Sequence, residues 1–527
     1  MSLWRTSGDE SPGAAWNALI PLAAILLLAA LLRLPAVNQP LVDLFCWREA
    51  STAMMADNFH LKNWNVLYPE VSWTGPGPNY QGREFQVVSY ITALLYAAFG
   101  WHDWFGRAVA AAFGLWSVVA LHRLVERLSG RAQANAAALV LALMPGAVII
   151  DTSFLPDPAM LAFVLTGLWA LVVWLQTDRP WFLPLAVAFI ALGILAKPPG
   201  VVVLAPAAYA CASILTRRDA LTRGRLIALS AALVGVALPT AAYFSWAVWL
   251  GTHYPPYHVA GAGYFWDDMA GALREGFHVK AAARHAREWF LTVPVFLLFG
   301  LGLFSAPPRG TRGAPWLFHV WLAGCAVLYL FISKEMTVNP WNLLVFAAPA
   351  AGLAGRGLLM AAAASTRRLN TWPARARLAG MVALIGWSAV EAAEVAKQPF
   401  GAESQYLGQQ LDALAAPDDL VITAASEIGN PIAIYYSRRR GWVFPPGGGA
   451  QAWDRVEDDA TAVATLEKLR MGGADWFGMA KDAMDHQGRY MMQHNPGLIA
   501  RLDSVGARVV DDDRIVIWRL PPVTPGA

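Results

Sequence analysis

Apolar runs separated by short polar loops dominate the first 400 residues. A membrane-spanning helix needs roughly 20 mostly apolar residues, with a working range of about 17 to 25. Eleven segments qualify: 16–34, 105–125, 133–150, 157–175, 181–196, 199–215, 226–250, 289–305, 315–332, 340–362 and 378–396. The run at 18–32 follows a polar start without a small-residue cleavage site, so it reads as a retained first span. Alternate loops are basic, carrying Arg123, Arg127 and Arg131; Arg179; Arg217, Arg218, Arg223 and Arg225; Arg309 and Arg312; and Arg367, Arg368, Arg375 and Arg377. Because Lys and Arg favour the cytoplasmic side, the N-terminus is expected inside and, after an odd number of spans, the C-terminus outside. The outer face then receives a long loop at 35–104, a turn at 151–156, a loop at 251–288 and the tail.

Within the long loop, 46–59 and 85–99 mix apolar and polar residues at helical spacing, which predicts short helices lying along the membrane surface. After 401 the pattern changes to strand-like stretches at 420–424, 442–444, 476–479 and 514–520 with a helical one at 461–471. The expected fold is therefore mainly α: a polytopic helical membrane protein of about 11 transmembrane helices over 1–400, then a small soluble α/β domain over 401–527.

Composition agrees with a bilayer protein, with 57% hydrophobic and 15% charged residues, 24 Trp for the interfaces and 34 Pro. A net charge of +3 over 527 residues gives no reason to expect nucleic acid as a partner. Cys46, Cys211 and Cys325 are scattered, two of them inside apolar runs, so they support neither a disulfide framework nor a thiolate metal site and read as packing residues. The tail is mildly acidic, with 17 Asp and Glu against 12 Lys and Arg.

Outer-face charge concentrates in the long loop, at Asp43, Arg48, Glu49, Asp57, Glu70, Arg83 and Glu84. The informative stretch runs Asp43-Leu-Phe-Cys-Trp47-Arg48-Glu49-Ala and on to Asn58-Phe59, followed by Asn65-Val-Leu-Tyr68-Pro69 and Gly82-Arg83-Glu84-Phe85. It resembles the first outer loop of the family-39 branch of the GT-C glycosyltransferases, which includes protein O-mannosyltransferases and the lipid A aminoarabinose transferase. Asp43, Trp47, Arg48, Asn58, Phe59, Glu84 and Phe85 match in order, and the likeness continues through Phe154-Leu-Pro-Asp157-Pro and Ala196-Lys197-Pro198-Pro199-Gly200. Two departures are Glu49, where many relatives carry Gln, and the lack of the Lys-Pro-Pro that precedes the second surface helix in aminoarabinose transferases. The resemblance implies a GT-C fold and a polyprenyl-phosphate sugar donor. It also implies a glycolipid, glycan or protein acceptor, and a place in a bacterial inner membrane with the tail in the periplasm.

Transfer with inversion needs a base for the acceptor hydroxyl and fixed cations for the departing phosphate. Asp43 is the candidate base, and Arg48, Lys197 and Lys334 are the candidate phosphate ligands; a lysine snorkelling at a helix end explains Lys197 and Lys334 equally well. Arg33 and Arg83 fit ordinary helix-end positions better than this role. Asp157 fits either a helix cap or a second carboxylate facing the acceptor. Glu84 fits orienting substrate, pairing with Arg48 or binding a divalent metal, and His253 and His258 could add nitrogen ligands, although hydrogen bonding to backbone or headgroups serves them better. Tyr254, Tyr257, Tyr264, Phe265 and Trp266 suit a sugar or lipid pocket and an interfacial belt alike. Two other classes fit the sequence. A flippase or transporter for polyprenyl-linked lipids would place charge near the bilayer midplane, whereas here nearly all of it lies at span ends. A scaffold would depend on the tail and not on Asp43.

Overall fold

The computed structural model describes residues 12–254, 276–308, 310–363, 372–425, 430–446, 458–481 and 487–522. Six helices among these are long and apolar enough to cross a membrane: Phe105–Ser129, Asp157–Thr177, Pro198–Arg217, Arg223–His253, Pro340–Ala363 and Trp372–Ala396. Two bent pairs, Arg131–Leu143 with Pro145–Asp151 at 60° and Val279–Phe290 with Thr292–Leu303 at 113°, bring the number to eight if each pair is one span. Shorter apolar helices, Pro21–Val37, Phe182–Ala196 and Leu317–Phe331, occupy the remaining runs. All eleven apolar runs are thus largely helical, and what the pattern did not reveal is where they break. Met144 precedes Pro145 and is extended at ψ 120°, because a proline crowds the α conformation of the residue before it. Pro198 and Pro199 start their span as a 3₁₀ turn. Thr292 takes a positive φ of 60° at the sharper bend, where its hydroxyl meets that of Ser388 at 3.0 Å.

The long loop does not lie open on a surface. Its helices, Cys46–Leu61 and Val87–Phe99, are both present, but the first is buried along nearly its whole length, from Arg48 and Glu49 to Asn58 and Phe59. Asn58 fixes the chain that follows, donating to the Glu70 carbonyl at 2.8 Å. The helix Arg223–His253 holds the loop from outside. Its 31 residues span about 46 Å against roughly 30 Å of hydrocarbon. The surplus meets the loop: Trp246 Nε1 donates to the Leu67 carbonyl at 2.7 Å, Tyr243 Oη to the Arg83 carbonyl at 3.1 Å, and a Cβ on Gly82 would lie 1.7 Å from the Ala247 carbonyl.

The tail builds a six-stranded sheet in the order β1 (Thr74–Gly75), β3 (Arg440–Val443), β2 (Leu420–Ala424), β4 (Ala474–Ala480), β6 (Ile515–Arg519), β5 (Ala507–Asp511). β2 lies parallel to β3 and β4, and β6 antiparallel to β4 and β5. Strand periodicity sends Ile515 and Ile517 towards the main core with Leu407 and Leu411, and Val516 and Trp518 to a second core with Leu466 and Leu498. β1 comes from the long loop and pairs with β3, backed by a Glu70–Arg440 ion pair at 2.8 Å. The tail and the long loop therefore share one sheet. They also share the main hydrophobic core.

Gly302 and Gly357 set the closest helix crossing. A Cβ on Gly302 would lie 1.9 Å from the Leu353 carbonyl, and one on Gly357 1.9 Å from that of Leu298. Gly357→Val should force Thr292–Leu303 away from Ala347–Ala363 and lower the thermal melting point in detergent by an amount equivalent to about 1–3 kcal/mol. Gly380→Ala, where a Cβ meets nothing within 4 Å, should leave the melting point unchanged.

Candidate active site

Two clusters of buried charge lie beneath the long loop. The first is centred on Arg107, at the head of the span Phe105–Ser129, with none of its side chain exposed. Its Nη2 donates to Asp43 Oδ2 and to Glu49 Oε2, both at 2.8 Å, and its Nη1 to the Ala36 carbonyl at 3.1 Å. Lys397, one residue past the last span, donates to the same Asp43 oxygen at 2.7 Å, to Ser153 Oγ at 2.9 Å and to the Thr152 carbonyl at 3.2 Å. The other Asp43 oxygen accepts from the Phe45 amide at 3.2 Å, and Glu49 Oε1 from the Phe154 amide at 2.5 Å. Two cations and two carboxylates close a neutral knot that ties together the loop, two spans and the 152–154 turn. Burial opposes the Asp43 charge, but Arg107 and then Lys397 outweigh it and hold the carboxyl below the usual range. Glu49 moves the other way. Burial raises it against the pull of Arg107, and the neighbouring Asp43 charge adds to the rise.

The second cluster gathers around Lys197. Because Pro198 follows it, Lys197 is extended (φ −158°, ψ 122°), which ends the helix Phe182–Ala196 and turns the lysine out of it. Its Nζ donates to Asp157 Oδ2 at 2.9 Å and sits 5.9 Å from the centre of the Trp341 ring. The Phe85 amide donates to the Leu195 carbonyl at 2.8 Å, which brings Glu84 close by, and Glu84 pairs with Arg48 from the first turn of Cys46–Leu61. The charges of Glu84 and Arg48 act on Asp157, and those of Lys197 and Arg48 on Glu335. Glu335 Oε1 accepts from Asn339 at 2.8 Å and Asn342 at 3.2 Å. Burial pushes the Glu335 carboxyl up, against the pull of Asn339 and of the Lys197 charge. Asp157 Oδ1, Arg48 Nη1 and Glu335 Oε2 are buried without a partner among the described residues. These atoms are what the site has to offer a ligand.

The structure thus brings Arg48, Glu84, Asp157 and Lys197 together and places Asp43 and Glu49 in the adjoining knot. Asp157 does not cap its helix: Pro156 is the N-cap residue, and the Asp157 side chain goes to Lys197. His253 bonds back to the Trp249 carbonyl at 2.8 Å and stacks on the Trp249 ring at 4.4 Å, and Tyr254 packs edge-on against Tyr80 at 5.0 Å. Tyr254 fastens the long helix to the loop, while His253 is satisfied within its own helix. Tyr257, His258, Tyr264, Phe265 and Trp266, and the side chain of Lys334, lie outside the described residues. Among the described residues no three of His, Cys, Asp and Glu converge on a metal-binding point. Arg33 is a buried partner of Asp151 at 2.7 Å and not an ordinary helix-end residue. Sequence reasoning passed over Arg107, Asp151, Glu335 and Lys397. Charged residues at the edges of apolar runs were the available signal, since such a charge needs a partner.

Residues 86–246 match the family described as dolichyl-phosphate-mannose-protein mannosyltransferase. Among solved structures, ArnT from Cupriavidus metallidurans bound to undecaprenyl phosphate superposes with a TM-score of 0.60 at 14% identity, covering 96% of this chain and 98% of that one. The oligosaccharyltransferase AglB from Archaeoglobus fulgidus, in complex with an inhibitory peptide and a dolichol-phosphate, gives a TM-score of 0.58 at 13% identity over 94% of this chain and 73% of that one. Nothing among the curated proteins matches. The superpositions show the fold, a multi-pass helical membrane fold shared with ArnT and AglB, and the family match over 86–246 agrees with the resemblance read from the long loop.

Arg107→Leu would strand the buried Glu49 and leave Asp43 to Lys397 alone, and should cost about 3–5 kcal/mol, read as a large fall in melting point. Asp43 contributes stability that is fully present above its unfolded pKa of about 4 and is lost as pH falls through its lower folded value. The stability gap between wild type and Asp43→Asn should therefore narrow below about pH 4 and stay constant above it.

Proposed function

We propose that the chain is an inverting glycosyltransferase that moves a sugar from a polyprenyl-phosphate donor to a glycolipid, glycan or protein acceptor at the outer face of a bacterial inner membrane. The observation that carries this reading is the facing pair of buried ion pairs, Arg48–Glu84 and Lys197–Asp157, with a guanidinium nitrogen on one and a carboxylate oxygen on the other that have no partner among the described residues. These are the two functions that the chemistry needs. A carboxylate oxygen takes the proton of the acceptor hydroxyl as that oxygen bonds to the anomeric carbon. Cations receive the negative charge of the phosphate as the opposite bond to the same carbon breaks.

Asp157 fits the part of base better than Asp43. Asp43 has both oxygens occupied and is held strongly ionised, which makes it a poor proton acceptor; it suits fixing the loop over the site. Arg48 and Lys197 fit the phosphate. A polyprenyl carrier is supported by the undecaprenyl phosphate and dolichol-phosphate bound in the structural relatives. The outer face is supported by the distance of both clusters from the basic loops, which favour the cytoplasm. A midplane charge pathway, as a transporter would use, has no counterpart in these clusters, which gather at the ends of the spans.

The test is sugar transfer by purified protein in nanodiscs, supplied with a panel of polyprenyl-phosphate sugars and a membrane glycolipid extract. Asp157→Asn should lose about 10²–10⁴-fold in turnover with donor binding retained, the usual contribution of a general base. Asp43→Asn should lose activity in step with its lost stability. Full activity in Asp157→Asn would move the base to Asp43, and no transfer from any donor by the wild type would sink the enzyme reading.

A further inference from the structure

At the opposite end of the bundle, among the basic loops, a small cleft of about 30 Å³, open to solvent, lies between the ends of three helices and the flank of a fourth, Ala347–Ala363. Its lining includes Ser129, Gln133, His319 and Arg356, and no carboxylate. Arg356 lies in the second half of the helix Ala347–Ala363 and is 6% exposed, with its Nη2 buried and unpartnered among the described residues. His319 uses Nε2 on the Leu303 carbonyl at 3.1 Å and leaves Nδ1 buried without a partner. Glu126, an acid on the adjoining helix end, is already bridged by Arg123 at 3.2 Å and Arg131 at 3.5 Å. The Arg312 amide donates to the Leu128 carbonyl at 2.7 Å, which brings the basic loop before Leu317–Phe331 to the cleft wall. Arg312 and Arg179 also act electrostatically on Arg127, so three guanidinium groups crowd this end. The span Phe105–Ser129 separates the cleft from Arg107 by roughly 30 Å, so this is not part of the transfer site.

A buried guanidinium without a counter-ion is costly; Arg33, Arg48 and Arg107 each have a carboxylate partner, whereas Arg356, like Arg83 in the long loop, has none among the described residues. We propose that the Arg356 cleft binds a phosphate-bearing anion, the headgroup of an acidic phospholipid, with Arg356 gripping the phosphate and Ser129 and Gln133 able to donate hydrogen bonds to it. Basic pockets between spans at the cytoplasmic level commonly take acidic lipid headgroups. Guanidinium suits the role because its fork matches two phosphate oxygens. The exposed apolar surface of the neighbouring spans, Phe304 and Trp316 included, would receive the acyl chains. This binding does not depend on the transfer chemistry.

The test follows the melting of the full chain in a neutral detergent while short-chain phosphatidylglycerol, short-chain phosphatidylcholine or inorganic phosphate is titrated in, with native mass spectrometry to count retained lipid. Phosphatidylglycerol should raise the melting point and stay bound, and phosphatidylcholine should do neither. Arg356→Gln should weaken the phosphatidylglycerol effect about tenfold or more, as expected for loss of a charge-assisted pair. Its own lipid-free melting point should hold or rise, because an unpaired buried charge has gone. Arg356→Lys, which keeps the charge and loses the fork, should fall between the two and covers the case in which the glutamine variant does not fold. An Arg356-dependent shift with inorganic phosphate as large as that with the lipid would confirm the phosphate site but assign it to a soluble ligand. Equal effects of the two lipids, or a phosphatidylglycerol effect indifferent to both substitutions, would overturn the proposal.

Discussion

A guanidinium at the head of a membrane span has to be neutralised where it lies, and Arg107 imposes that requirement on most of the structure near the site. Its two carboxylate partners come from the long loop, and Lys397, which shares one of them, comes from the junction of the last span with the tail. Water cannot help at a position with no exposed surface, so the loop, the bundle and the junction must meet in one geometry or leave a charge stranded. The same knot accepts backbone amides at Phe45 and Phe154 and so fixes the turn that leads to Asp157. The charges that look most catalytic in the sequence are in part the ones that hold the loop down.

The loop is held from three other directions. The tail adds β1 to its sheet edge and pairs Arg440 with Glu70, the long helix Arg223–His253 fastens 67–85 with hydrogen bonds and edge-on rings, and Tyr435 and Tyr436 donate to Asp103 at 2.8 and 2.9 Å. A soluble domain drawn after residue 400 would miss this. The tail is built onto the loop, and its order and the site's order are linked through Asp43 and Lys397.

Much of this was legible in the chain because it rests on composition over long windows. The eleven apolar runs, the two loop helices and the strands at 420–424, 440–443, 474–480 and 515–519 follow from periodicities that burial enforces. β1 was hidden because two residues carry no period, and Ala507–Asp511 because an exposed edge strand with Arg508 and Asp511 has no reason to alternate. At the site, the resemblance picked out Asp43, Arg48, Glu84, Asp157 and Lys197, which the structure brings close together. Their pairing was not legible. Arg107 and Lys397 lie 64 and 354 residues from Asp43, and only the packing of spans brings them to it.

The pairing bears on how such a site could work. Arg48 and Lys197 are each engaged by a carboxylate, so neither stands as an uncompensated cation in low dielectric. An arriving phosphate would have to draw them from Glu84 and Asp157, so that the cations stay compensated and the cost falls on the carboxylates. Release of Asp157 from Lys197 would free its second oxygen at the moment when the donor is bound. The carboxylate would become a better proton acceptor once its lysine had turned to the phosphate, because the charge that favoured its ionised form would have moved away. Binding of the donor and arming of the base would then be one event, and the ion pairs seen here would be the resting form of both.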